Sequence, residues 1–276
     1  IEINPHYVQA YNNLGVCMYK LGKIKEAIQI YEKAIRIQPN HADVHNNLGA
    51  AFNKSGEKEK SIKCYQKAIE VQSNHADAHN NLGIAFAELK ERGKAIKCFE
   101  NVIKIQPKNA AAFNNLGTEY KNLKKFKEAV NFYQKAIDIK PNYAIVFRNL
   151  GVVFETLGEL QKAKGYYEKA IDIQPNDAES YNNLGVVYNE MGELQKAKNC
   201  YQQAINIKPN FVEAHSNLGL KYKALGEREK AIECFEKAVK CGSKKLVHFH
   251  YLSELKKKIL DTNLKSKIIE VIKNNK

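Results

Sequence analysis

The chain contains no apolar run approaching the roughly 18 residues that a membrane-crossing helix needs, so its sequence offers no such span. It has no Cys-x-x-Cys pair, no phosphate-binding glycine loop, and no Ser-His-Asp set or carboxylate pair in a setting that would form a pocket. Those absences remove the usual sequence grounds for catalysis, metal binding or a cofactor. An initiator methionine and a signal-peptide h-region are also missing. The opening Ile1-Glu2-Ile3-Asn4-Pro5 instead matches Ile35-Arg36-Ile37-Gln38-Pro39 and Ile137-Asp138-Ile139-Lys140-Pro141, which suggests a fragment cut from a longer protein.

What is present is a period. Asn-Leu-Gly occurs seven times, beginning at Asn13, Asn47, Asn81, Asn115, Asn149, Asn183 and Asn217, each 34 residues after the last. A fixed period means stacked units, each burying its apolar face on its neighbours, and the product is an extended surface suited to binding. With 44% apolar and 27% charged residues, the chain has enough apolar side chains for such a core. Placing the glycine at position 8 of each unit gives repeats at 8–41, 42–75, 76–109, 110–143, 144–177, 178–211 and 212–245. Residues 1–7 then read as the remnant of a preceding repeat and 246–276 as a degenerate capping unit, with Phe249 and Leu252 at core positions and a second stripe of Leu264, Ile268, Ile269 and Ile272.

Positions 4, 7 and 11 of each repeat share one helical face, as do positions 20, 24 and 27, which predicts two amphipathic helices per repeat. Position 15 is Gly22, Gly56, Gly158, Gly192 and Gly226, suited to a left-handed cap, with Lys90 and Lys124 as exceptions. Pro at position 32 ends the second helix, and Asn at position 33 is expected to cap the next. Glycine at position 8 is expected where two helices approach closely.

The combination of Gly15-type glycines, aromatics at positions 4, 11 and 24, alanines at 20 and 27 and proline at 32 resembles the tetratricopeptide repeat over about residues 1–245. Departures are Ser61, Val102, Ser73 and Ser243. The Asn-Asn-Leu-Gly form resembles the arrays preceding O-linked N-acetylglucosamine transferase, SPINDLY-type fucosyltransferases and some bacterial sulfotransferases. The resemblance implies an all-α right-handed α-solenoid superhelix whose first helices line a concave wall. It also implies that asparagine at position 6 contacts substrate polypeptide.

Position 6 is asparagine in all seven repeats, although asparagine in a helix interior costs up to about 0.7 kcal/mol relative to alanine. A primary amide matches both the N–H and the C=O of a peptide backbone. First helices about 10 Å apart would let one asparagine engage every third residue of an extended chain, or about twenty ligand residues in all. The expected ladder is therefore Asn13, Asn47, Asn81, Asn115, Asn149, Asn183 and Asn217. A second row at position 5 comprises Asn12, Asn46, Asn80, Asn114 and Asn182, interrupted by Arg148 and Ser216. The other reading is that these amides bond between adjacent helices. Asp43 and Asp77 at position 2, with Glu179 and Glu213, disfavour a carboxylate-terminated ligand, while Arg148, Lys121, Lys221 and Lys223 offer local acidic preference.

The formal net charge of +14 raises nucleic acid as a partner, but nine lysines and three acids in residues 244–276 carry +6 of it. In the repeats, lysines at positions 19 and 26 interleave with acids at position 25, so no phosphate track emerges. Cys64, Cys98, Cys200 and Cys234 share position 23 and read as packing residues in a reducing, cytoplasmic setting. His41 with His45, and His75 with His79, stand four apart, but position 4 is a core column. The expectation is a module without catalysis, cofactor or metal that binds protein or extended peptide for a larger protein. The alternative is a freestanding scaffold for a folded partner or helix. An open packing face on the first repeat offers a route to self-association.

Overall fold

The structure is a computed structural model, which describes residues 7–243, 251–253, 269, 270 and 273. All but Tyr7 of the remnant proposed for residues 1–7, and most of the capping unit at 246–276, including Phe249, Leu264, Ile268 and Ile272, lie outside the described residues. Fourteen α-helices of 13 or 14 residues occupy the described chain, two per repeat at the predicted period. Two compact halves divide it, Ile1–Pro141 and Asn142–Lys276.

The first half holds α1 (Val8–Lys20), α2 (Ile24–Ile37), α3 (Ala42–Ser55), α4 (Lys58–Val71), α5 (Ala76–Glu88), α6 (Arg92–Ile105), α7 (Ala110–Asn122) and α8 (Phe126–Ile139). The second holds α9 (Ala144–Thr156), α10 (Leu160–Ile173), α11 (Ala178–Glu190), α12 (Leu194–Ile207), α13 (Val212–Ala224) and α14 (Arg228–Lys240). Within each half, both helices of a repeat pack together and the second packs on the first helix of the next, as in a helical solenoid. In the second half, Leu252 is buried against Ala231 and Phe235, so it extends the core beyond the last full repeat.

The alanines at positions 20 and 27 are fully buried, as at Ala27 and Ala34 or Ala197 and Ala204. Between them the position-24 ring fills the space beneath the position-8 glycine. A Cβ on Gly15, Gly49, Gly83, Gly117, Gly151 or Gly185 would stand 2.4–2.6 Å from the ring of Tyr31, Tyr65, Phe99, Tyr133, Tyr167 or Tyr201. The expected close approach is thus of helix backbone to an aromatic side chain.

The turn between paired helices uses the left-handed region at position 15, with φ from 74° to 88° at its five glycines. Lys90 and Lys124 keep the same geometry at φ 61° and 60°, and each costs about 1 kcal/mol against glycine. The following amide closes the turn back onto position 11, as in Glu159 to Phe154 and Glu193 to Tyr188 at 2.9 and 2.8 Å.

The expected cap at position 33 is corrected. The starts of α3, α5 and α7 are capped by position 34, where His41, His75 and Asn109 accept from the amides of Val44, Ala78 and Ala112 at 3.4, 3.2 and 3.0 Å, whereas Tyr143, Asp177 and Phe211 make no such bond. Three residues separate the preceding helix from this position, and position 33, the last of them, is still in the turn. The histidine pairs follow from the same geometry. His45 and His79 donate from Nε2 to the carbonyls of Pro39 and Ser73 at 2.7 and 3.0 Å, closing the turn from within the core.

Lysines at position 19 remain exposed, yet each has a local role. Lys60, Lys94, Lys162, Lys196 and Lys230 lie 5.1–5.5 Å from the centroids of the position-11 rings Phe52, Phe86, Phe154, Tyr188 and Tyr222. Each also pairs with the glutamate three residues before it. Lys33, Lys135 and Lys169 likewise lie over Tyr11, Phe113 and Phe147 at position 4. Much of the positive charge in these columns is therefore engaged inside its own repeat. Burial pushes the thiols of Cys64, Cys98, Cys200 and Cys234 up to about 11, which keeps them protonated at neutral pH.

Candidate functional site

Within each half, the first helices present positions 2, 6, 9 and 13 on one wall. Position 2 is exposed in every repeat, including Asp43 and Asp77, and position 6 is half-buried except at the exposed Asn13. This combination leaves the position-6 amides accessible while their stems are held by packing.

Their hydrogen bonds reveal how they are held. Asn47, Asn81 and Asn115 donate from Nδ2 to the Oδ1 atoms of Asn12, Asn46 and Asn80 at 2.9, 3.0 and 3.2 Å. In the second half Asn217 donates in the same way to Asn182 at 3.0 Å. Each bond joins position 6 of one repeat to position 5 of the one before. The reading of inter-helix amide bonds therefore holds at these four contacts. Such a bond uses one of the two N–H donors and leaves the other donor and the carbonyl oxygen of the position-6 amide.

The second row has a different place from the one expected. Asn12, Asn46, Asn114 and Asn182 are buried and Asn80 half-buried, because position 5 turns toward the neighbouring repeat. Asn12, Asn46, Asn80 and Asn182 orient the ladder by accepting from it. Asn13 accepts from Gln9 at 3.1 Å, and Asn149 lies half-buried on α9.

Arg148 breaks the pattern at position 5. Its Nη1 donates to both oxygens of Asp177 at 2.7 Å, and its Nη2 lies 3.1 Å from Glu179. This occupies the guanidinium within the fold rather than leaving it for an acidic ligand. Asn183, in the next repeat, instead accepts from its neighbour Asn182 at 3.4 Å. Asp43 accepts from Nε2 of His75 at 3.1 Å while remaining mostly exposed.

Two acidic groups on this wall escaped the column reading. Glu119 occupies position 10, which is small or apolar in five other repeats, as at Ala51, Ala85, Val153 and Val187, and Lys221 in the last, and its side chain is 4% exposed. Arg92, at the start of α6, compensates it at 3.1 Å. The broken column was the available signal. Glu155, at position 12, accepts from the Tyr167 hydroxyl at 2.6 Å. Burial raises its pKa, with the Tyr167 bond opposing and the charge of Glu190 reinforcing the shift. A raised carboxyl pKa favours folding below the ordinary glutamate range, and that contribution is lost as pH rises through the raised value. Glu155→Gln, which still accepts from Tyr167, should match or exceed the parent in melting temperature at pH 7. The two curves should converge below pH 4; a parent advantage at pH 7 would contradict this account.

Together these features define a helical-hairpin repeat protein with a polar first-helix wall. Models of the tetratricopeptide repeat match residues 76–109, 110–143, 144–177, 212–241 and 166–199, and TPR repeat models match 18–56, 49–90 and 185–226. The chain belongs to the tetratricopeptide repeat family.

Among solved structures, a chain of the APC/C hetero-tetramer Cut9–Hcn1 is similar with TM-score 0.72 and 17% identity, over 92% of this chain and 50% of that one. This chain thus spans about half the length of that relative. A tetratricopeptide repeat protein from Parabacteroides merdae matches with TM-score 0.72 and 18% identity, over 90% and 98% of the two chains. At such identities the likeness is one of fold. YrrB, described as a TPR protein with an unusual peptide-binding site, matches with TM-score 0.51 and 25% identity, over 67% and 95%. No curated protein matches the sequence.

Proposed function

We propose that this protein is a non-catalytic interaction module that binds extended polypeptide along its first-helix wall and recruits it as a substrate or partner. The observation that carries the reading is the set of position-6 amides at Asn47, Asn81, Asn115 and Asn217, which are tied to the preceding repeat through one N–H while retaining a donor and an acceptor. Pre-oriented amides lose little rotamer freedom when they meet a peptide group, which lowers the entropic cost of binding. The mixed donor-acceptor character of each amide suits a backbone of any sequence. The peptide-binding description of YrrB, a similar chain, supports the same class of ligand.

The test uses the full chain, immobilised, and a pool of random 12-residue peptides. Replacing Asn47, Asn81 and Asn115 together by alanine should weaken capture at least tenfold, about 1.4 kcal/mol or roughly the net worth of one or two hydrogen bonds. Position 6 is partly exposed, so the fold should survive, as circular dichroism would verify. Unchanged capture by a folded triple variant would show that the amides serve only to join repeats.

A further inference from the structure

We infer that the cleft between α5 and α7 is a pocket for one cationic side chain, lysine or arginine, of a ligand chain lying on the first-helix wall. This rests on the polypeptide-binding reading above and specifies the chemistry of one ligand residue.

The cleft encloses about 290 Å³. Two small departures from the repeat pattern coincide there. Position 24 is tyrosine in five repeats, and the hydroxyls of Tyr133 and Tyr167 reach first-helix side chains, Thr118 at 3.2 Å and Glu155 at 2.6 Å. The corresponding residue here is Phe99, which lines the cleft with a bare ring edge. Position 12 is Ala87, where the other repeats of this half carry Tyr19, Asn53 and Lys121. Both changes remove atoms from the same volume, and with Ile84 they leave an apolar lining.

The polar lining has the opposite character. Glu88 and Glu119 each contribute a carboxylate to the cleft. Lys58 of α4 engages Oε2 of Glu88 at 2.8 Å, and Arg92 of α6 engages Oε2 of Glu119 at 3.1 Å. The Oε1 atom of Glu119 has a long 3.5 Å contact from Asn122. Asn115 has spent one N–H on Asn80, and Thr118 has given its proton to the carbonyl of Asn114 at 3.0 Å. Acceptors therefore outnumber donors, since the two carboxylates offer more lone pairs than Lys58, Arg92 and Asn122 take up.

A side chain with an aliphatic stem and several terminal donors fits both surfaces. Its methylenes would lie along Ile84, Ala87 and Phe99 while its head met the carboxylate oxygens and the Asn115 carbonyl. An aliphatic residue would cover the carboxylates without replacing their hydrogen bonds to water, and an acidic one would be repelled. The chain as a whole carries +14, so long-range repulsion works against cationic ligands and any preference for them reports local chemistry.

The experiment sequences the 12-residue peptides captured from the random pool by the full chain and by two variants. The wild-type protein should enrich lysine or arginine at one peptide position at least fivefold over the input. Ala87→Leu, which fills the cleft, should abolish that enrichment while still capturing peptides. Glu88→Lys, at the exposed rim and tolerant of folding, should do the same if Ala87→Leu misfolds. Capture without enrichment by the wild type, or enrichment unchanged in a folded variant, overturns the cleft while leaving polypeptide binding intact. No capture by the wild type overturns both.

Discussion

Gly151→Ala is expected to destabilise the second half by about 1–3 kcal/mol, even though glycine to alanine ordinarily stabilises a helix interior by about 1 kcal/mol. The reversal comes from Tyr167. The added Cβ would stand 2.5 Å from its Cε1, and the ring is fully buried. Its hydroxyl is also fixed to Glu155 at 2.6 Å, so the ring has no simple route to move aside. Urea denaturation of the single and double variants isolates the contact. Combined with Tyr167→Leu, the alanine should cost at least about 0.5 kcal/mol less than it does alone. Strict additivity would place the cause elsewhere. Gly158 is a comparison of a different kind: a Cβ there meets nothing within 4 Å, and the penalty for alanine would come from its φ of 74° alone.

Arg148→Ala should cost about 3 kcal/mol, because it leaves Asp177 ionised in a site where its side chain is only 10% exposed. Ser180 would remain as a hydrogen-bond partner at 2.5 Å, which does not replace two bonds from a guanidinium. Arg148→Asn restores the residue that five other repeats carry at position 5, yet it should be almost as damaging. The loss follows from the partner, so adding Asp177→Asn to either variant should recover a large part of the stability in chemical denaturation. Failure of the double variant to recover would mean that Arg148 acts through packing. The pair also limits the role of this arginine in recognition, since an acidic ligand would have to displace Asp177 and Glu179 to reach it.

The arrangement of hydrogen bonds explains why part of the site was legible in the columns and part was not. Position 6 is asparagine throughout, and at Asn47, Asn81, Asn115 and Asn217 it is partly exposed and also reaches the preceding repeat. Position 5 is almost as uniform, and in a list of residues the two columns look equivalent. Only their burial separates them: Asn46 is 8% exposed and accepts, while Asn81 is half-buried and donates to it. The same limitation hid Arg92 and Glu119, which are 27 residues apart and lie at unrelated positions of successive repeats. Their side chains explain one another only when α6 is placed against α7.

Single-repeat geometry was easier to anticipate. The apolar stripes fixed which face of each helix is buried, and Gly22 or Gly158 marked a turn that requires positive φ. Lys90 and Lys124 adopt that turn regardless, because the flanking helices determine the backbone and the local strain is small beside their packing. Before α3, α5 and α7 the cap was displaced by one residue because His41, His75 and Asn109 at position 34 also carry a side-chain acceptor. Sequence spacing does not decide which of positions 33 and 34 reaches the first free amides. In His75 the ring nitrogen takes that role and the other ring nitrogen binds Asp43, a combination that depends on three-dimensional position.

The sequence by itself determined the period, the helix pairs, the buried faces and the turn at position 15, since each follows from contacts within about 34 residues of chain. Tertiary structure decided which amides bond between repeats, which charges are already paired and where a cleft opens. Those properties arise where one repeat meets the next, and the period fixes their recurrence without fixing which side chains touch.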